Sequence, residues 1–172
     1  MAFIDFIKRQ LKDLENIINK MEQKKRGIFG NWLKRHNKYL KDETSFKPTT
    51  HIVYKRKMVV HVDFGFNVGA EYGGFHWAVV IQNDNKAAHT IVVVPLSSLK
   101  KGQKTHKKDA FLGKIKGLND NDSEALLGQI TTISKMRIQP GDIYQLSDEQ
   151  MDEVDRKIIE RYVNPKLRTK LL

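Results

Sequence analysis

Between residues 3 and 21, apolar side chains fall at Phe3, Ile7, Leu11, Leu14, Ile18 and Met21, in steps of three or four. That spacing puts them along one face of a helix and approaches a heptad seam. Lys8, Arg9, Lys12, Asp13 and Glu15 lie off the stripe, so the helix is expected to pack on its own domain or on a partner helix. Acidic residues interrupt the polar face and weaken the other reading, a basic helix on a membrane surface. Gly27 and Gly30 are expected to break the helix, with Asn31 capping a second short helix, Trp32–Leu40. The polar stretch Lys41–Thr50, with Pro48, reads as a linker. A boundary near residue 50 then separates a helical extension, 1–50, from a domain spanning 51–172.

Past that boundary the period changes from helical to strand-like. Met58, Val60, Val62 and Phe64 alternate with Val59, His61 and Asp63, which predicts a half-buried strand. Gly65, Gly69, Gly73 and Gly74 mark a loop. Phe75–Gln82 and Thr90–Leu96 read as strands around an Asn83–Lys86 turn, and Pro95 predicts an edge or a bulge, because it has no N–H to donate to a ladder. Lys100–Lys116 holds seven lysines, His106 and two glycines, with Gly117 directly after it, and reads as a mobile basic loop. Gln129–Ile133 and Met136–Ile138 are strand candidates, and Gln139–Asp142 a turn. Ser147 and Gln150 form a capping box for a closing helix with Met151, Val154, Ile158 and Tyr162 on its apolar face. That helix is expected to be purely structural.

Composition narrows the function. The 172 residues have no cysteine, which excludes a disulfide scaffold, a thiolate zinc site and a thiol nucleophile. The apolar runs are far too short to span a bilayer, and Met1–Leu14 lacks the apolar core of a signal peptide, so a soluble cytoplasmic protein is expected. The net charge is +11. Its distribution is uneven: residues 1–118 carry +13 and residues 119–172 carry −2. Such a field suits a polyanion partner, most simply nucleic acid, and equally a solvated basic surface. There is no P-loop, no His-Glu-x-x-His and no Gly-x-Ser-x-Gly.

The stretch with most chemistry is Val68–Asp84, VGAEYGGFHWAVVIQND. It places Glu71 in a glycine-rich loop and His76 at the start of an apolar strand. A carboxylate and an imidazole that converge suit general acid–base work. A solvated loop glutamate and a packed histidine are the plainer readings of the same residues.

From Val59 to about Tyr162 the chain resembles the MazF/PemK family of toxin endoribonucleases. The matching pieces keep the family order: VVHVDFG (Val59–Gly65), VGAEYGG with the strand ending IQND, IVVVPLSS (Ile91–Ser98), GQITTISKMRI (Gly128–Ile138) and LSDEQMDEVDRKI (Leu146–Ile158). The first 50 residues match nothing in the core family. The resemblance implies a mostly β fold with flanking helices (α+β), a small curled antiparallel SH3-like barrel shared with the CcdB type, usually homodimeric. It implies metal-independent cleavage of single-stranded RNA, with no cofactor, leaving a 2′,3′-cyclic phosphate and a 5′-hydroxyl. It also implies inhibition by a cognate antitoxin whose acidic tail covers the RNA groove, and no membrane partner.

Carried over by position, Glu71 matches the loop glutamate proposed as base, and Ser97 stands for the active-site threonine. His76 stands where the family has its catalytic arginine, Trp77 where proline is usual, and Thr131 where a second arginine would be. With an ordinary pKa near 6.5, about a quarter of His76 would be protonated at pH 7. The expectation is that His76 acts as general acid, with cleavage fading as pH rises. Loss of both arginines also fits a non-catalytic nucleic-acid- or protein-binding module on the same fold. His61, Phe66, Asn67, Tyr72 and Trp77 are candidate base contacts, with Lys100, Lys101 and Gln129 completing the RNA-binding set. The extension could occlude the groove, dimerise the chain or hold the antitoxin.

Overall fold

The computed structural model describes residues 2–168. The chain forms two compact units, Met1–Thr44 and Ser45–Leu172. The first holds α1 (Ala2–Lys20) and α2 (Gln23–Asp42). The break falls at Met21–Glu22, not at the glycines. Glu22 leaves the helical region at ψ 142°. Arg26 then donates to the carbonyls of Asn19 and Met21 at 2.7 and 3.0 Å, satisfying the open end of α1. Gly27 and Gly30 lie inside α2, so the expected short helix capped by Asn31 is instead one 20-residue helix. A glycine there costs roughly 1 kcal/mol relative to alanine, which weakens a helix without ending it. Helical structure also takes the first residues of the expected linker, through Asp42.

The second unit is a curled antiparallel sheet. Its strands are β1 (Met58–Asp63), β2 (Phe75–Val80), β3 (Thr90–Ser98), β4 (Ala110–Gly113), β5 (Ser123–Ala125), β6 (Thr131–Ser134) and β7 (Tyr144–Gln145). The order is β4-β5-β3-β2-β1-β7, with β6 also paired to β3. Helix α3 (Asp148–Tyr162) and the short α4 (Pro165–Arg168) follow. Ser147 and Gln150 make the predicted capping box, so α3 starts where its cap dictates.

Both faces of the sheet are covered. Val59, Val79, Val94 and Leu96 pack with Met151 and Val154 of α3. Val60, Val62, Ala78, Val80, Val93 and Ile133 form a second core on the other side. The strand Met58–Asp63 is therefore buried on both faces rather than half-buried. Each fully buried aliphatic side chain contributes about 1.5–3 kcal/mol, so the two cores fix the register of β1, β2 and β3. On α3, Tyr162 leaves the expected apolar face and is more than half exposed.

Pro95 lies in β3, the strand with most partners. β6 pairs with β3 up to Val93, and β5 pairs from Leu96 onward. Between them Leu126 donates to the Pro95 carbonyl at 2.9 Å, and the chain swings out through Leu127–Gln129. Pro95 thus falls in the gap between two partners on that side of β3, not on an edge of the sheet. Part of the expected basic loop Lys100–Lys116 is ordered as β4, because Ala110 and Leu112 enter the core. A buried ion pair was not foreseen: Lys135 and Asp84, both fully buried, meet at 2.7 Å.

Candidate active site

The loop between β1 and β2 is closed by its own backbone. Phe64 donates to Gly74 at 2.8 Å, and Gly74 to Gly65 at 2.7 Å. A Cβ on Gly73 would lie 2.9 Å from the Gly65 carbonyl oxygen, so this close approach requires glycine. Asn67 donates across the loop to Phe64 and Tyr72 carbonyls at 3.2 and 2.7 Å. Glu71 accepts from the Val68 N–H at 3.1 Å. Gln129, from the turn before β6, accepts from Tyr72 N–H at 3.1 Å and donates to Ala70 at 3.2 Å. Asn67, a candidate base contact, and Gln129, from the wider RNA-binding set, thus use their amides to hold the loop in shape.

This clamp creates a cavity of about 340 Å³ whose polar wall includes Asn67, Glu71, Tyr72, Gln129, Thr131 and Arg137. Arg137 was not singled out by sequence, since a lone arginine in KMRI carries no motif. Its Nη1 lies 3.5 Å from the Phe64 carbonyl, and among the described residues no carboxylate is within ion-pair distance of it. A guanidinium without a counter-ion beside a carboxylate gives this cavity one anion donor and one strong acceptor.

Tyr72 joins the cavity to β2 and β3. Its hydroxyl lies 3.1 Å from Nδ1 of His76 and donates to the Leu96 carbonyl at 3.1 Å. A phenol proton placed on the Leu96 carbonyl pairs with the His76 tautomer that carries its proton on Nδ1. Burial pushes the His76 pKa below its ordinary value, the nearby His61 adds to the shift, and a hydrogen bond with Gly73 backbone opposes it. Burial, then the Glu124 charge, raises the Tyr72 pKa against a hydrogen bond from Ser97. Ser97 faces Glu124 across β3 and β5, and this carboxyl is buried with Oε2 unpaired.

The structure therefore brings Asn67, Glu71, Tyr72 and Gln129 round one cavity and links Tyr72 to His76 and Ser97. It separates the rest. His61 is the register partner of Trp77, and their rings lie 4.9 Å apart. Alternation along β2 puts Trp77 on the face opposite His76, where it meets Tyr144 at 5.1 Å. Lys100 and Lys101 are exposed in the turn after β3. Among the described residues no three His, Asp or Glu side chains are grouped to hold a metal ion, and no helix is long and apolar enough to cross a membrane.

Residues 55–161 match a family described as PemK-like, MazF-like toxin of type II toxin-antitoxin system. Endoribonuclease EndoA of Bacillus subtilis (strain 168) is 35% identical over 109 residues, covering 62% of this chain and 92% of that protein. The crystal structure of MazF (Form-I) from Deinococcus radiodurans superposes with a TM-score of 0.54 at 18% identity, covering 64% of this chain and 96% of that one. The helical extension ahead of residue 55 lies outside the family match.

Proposed function

The chain belongs to the PemK-like, MazF-like toxin family, and from that premise we propose that it is a toxin endoribonuclease cutting single-stranded RNA without a metal ion. The observation that carries this reading is the linkage through Tyr72: one ring borders the cavity holding Glu71 and Arg137 and hydrogen-bonds His76 beside Ser97. A reaction that leaves a cyclic phosphate needs an acceptor for the ribose 2′-proton and donors for the phosphorane oxygens.

His76 suits the acceptor role. Burial favours its neutral form, the one that can accept a proton. The 2′-oxygen attacks phosphorus as its proton passes to the neutral His76 imidazole, the bond to the 5′-oxygen breaks, and that oxygen takes a proton from solvent. His76 then returns its proton to water. This reverses the acid role expected from sequence. The Ser97 hydroxyl and the Arg137 guanidinium serve as donors to the phosphate oxygens. Glu71 accepts from a ribose hydroxyl or a base N–H. The family places such a toxin with a cognate antitoxin, and we extend that partner, a homodimeric state and a cytoplasmic setting to this chain.

The test is incubation of the purified protein with a long single-stranded RNA in EDTA from pH 5.5 to 8.5, beside His76→Ala and Glu71→Ala. Cyclic-phosphate ends formed without metal, and lost with His76→Ala, support the reading. Retained RNA binding with no cleavage at any pH would make the chain a binding module.

A further inference from the structure

A cavity of about 620 Å³ lies between the turn before β4 and the C-terminal helices. Lys107 and Lys108 border one side; Lys157, Arg161 and Tyr162 of α3, with Arg168 of α4, border the other. Among the described residues Glu160 is its single lining carboxylate. Lys157 is tied to Glu160 at 3.0 Å and to the Lys107 carbonyl at 3.1 Å. Arg161 donates to the Lys108 carbonyl at 3.3 Å and lies 3.7 Å from Asp109. Five cations against one lining carboxylate leave the cavity positive.

This cavity adjoins the candidate active site. The turn Leu127–Gln129 is the wall between them: Gly128 and Gln129 line the Glu71 cavity, and the Tyr162 hydroxyl donates to the Leu127 carbonyl at 2.5 Å. The wall is thin at Gly128, where a Cβ would lie 2.6 Å from Arg161 Nη2. Tyr162 is 56% exposed, with the Arg161 guanidinium 5.7 Å from its ring centre. Cations that can follow a backbone, beside an exposed aromatic ring, make a platform for single-stranded nucleic acid, because every base can stack while phosphates meet lysine and arginine. An acidic peptide would use the charge but not the ring.

We propose that this cavity is a second RNA subsite, holding the phosphates and one stacked base of the strand that leaves the active site over Gly128. The proposal rests on the ribonuclease reading above. It also gives α3, expected to be only structural, a binding edge.

The experiment compares the wild-type chain with Lys107→Gln/Lys108→Gln and, separately, Tyr162→Ala, on RNAs of about 6 and about 20 nucleotides around the same cleavage sequence. Binding to a 20-mer without a cleavage sequence is titrated against salt. The expected result is roughly tenfold weaker binding of the long RNA by the lysine variant at 0.1 M salt. Its log–log salt slope should be shallower by about 1.4, as for two lost single-strand phosphate contacts. Cleavage of the 6-mer should be unchanged. Tyr162→Ala should weaken long-RNA binding with the slope intact. Unchanged long-RNA binding, or equal losses on both lengths, would overturn the subsite. So would a variant defect confined to polyglutamate binding, which would assign the cavity to an acidic protein. Absence of cleavage by the wild type would instead defeat the ribonuclease reading, while the salt slope still tests the subsite.

Discussion

The Tyr72 hydroxyl stands 3.1 Å from Nδ1 of His76 while donating its own proton to the Leu96 carbonyl. The phenol thus pairs with the imidazole tautomer protonated on Nδ1. Burial lowers the His76 pKa, so the neutral ring dominates at pH 7. If His76 accepts the 2′-proton, the active form is lost as pH falls through that lowered pKa. Cleavage should therefore rise from acid pH and level out by about pH 7, the opposite of the trend expected for a protonated donor. His76→Ala should cost about 10²–10⁴-fold in kcat. Tyr72→Phe should shift the acid limb of the profile, since it removes the partner of Nδ1. A pH series of initial rates for the three proteins checks this, and activity that declines steadily with pH would return His76 to the acid role.

Arg137 offers a guanidinium to the same cavity as Glu71 with no carboxylate in ion-pair range among the described residues. A charge-assisted hydrogen bond to phosphate is worth roughly 1.5–3 kcal/mol, or about 10–150-fold. Arg137→Ala should lower kcat/KM by about that range. Arg137→Lys should recover only part of it, because an ammonium lacks the bidentate fork. Steady-state kinetics on one RNA decide the matter, with thermal melts confirming that both variants fold.

Much of this was legible from the chain, and what was not has physical causes. Period-two alternation located β1, β-branched and aromatic runs located β2 and β3, and Ser147 with Gln150 fixed the start of α3. Gly27 and Gly30 misled because a glycine's local cost is small beside 20 residues of helix. The ordered matches along Val59–Tyr162 pointed to Glu71, His76 and Ser97 without distances. Strand parity could have placed Trp77 opposite its neighbour His76, while His61 joins Trp77 only through the β1–β2 register. Arg137, Glu124 and the Lys135–Asp84 pair were hidden because only tertiary pairing brings them to their partners. Gln129 belongs to the RNA-binding set read from sequence, but its two hydrogen bonds to the loop depend on a turn that no local pattern predicts.

Glu124 is a buried carboxyl across from Ser97, and burial first, then the charge of Asp109, raises its pKa. The folded state therefore holds this proton more tightly than the unfolded chain. Between the ordinary glutamate value and the raised folded value the unfolded state ionises first, so this group makes the protein less stable as pH rises through that window. The penalty is complete above the folded pKa and absent below the ordinary one. Glu124→Gln should raise the urea midpoint at pH 7 and leave it unchanged near pH 3. A higher midpoint at both pH values would assign the gain to packing instead.

Lys135 and Asp84 meet at 2.7 Å with both side chains fully buried. The ammonium also donates to the Asn85 carbonyl at 2.9 Å, and Asp84 accepts from the Tyr54 N–H at 3.0 Å. The pair pins the β2–β3 turn to the end of β6. A buried pair contributes little net stability over apolar residues of equal volume, but removing one partner strands the other charge at about 3–5 kcal/mol. Lys135→Met should therefore lower unfolding free energy by about that amount, measured by urea denaturation at pH 7. Adding Asp84→Asn to that variant removes the stranded charge and keeps a carbonyl acceptor for Tyr54, so it should restore a substantial part. If the double variant is no more stable than Lys135→Met, the loss comes from packing at the lysine stem rather than from an uncompensated carboxylate.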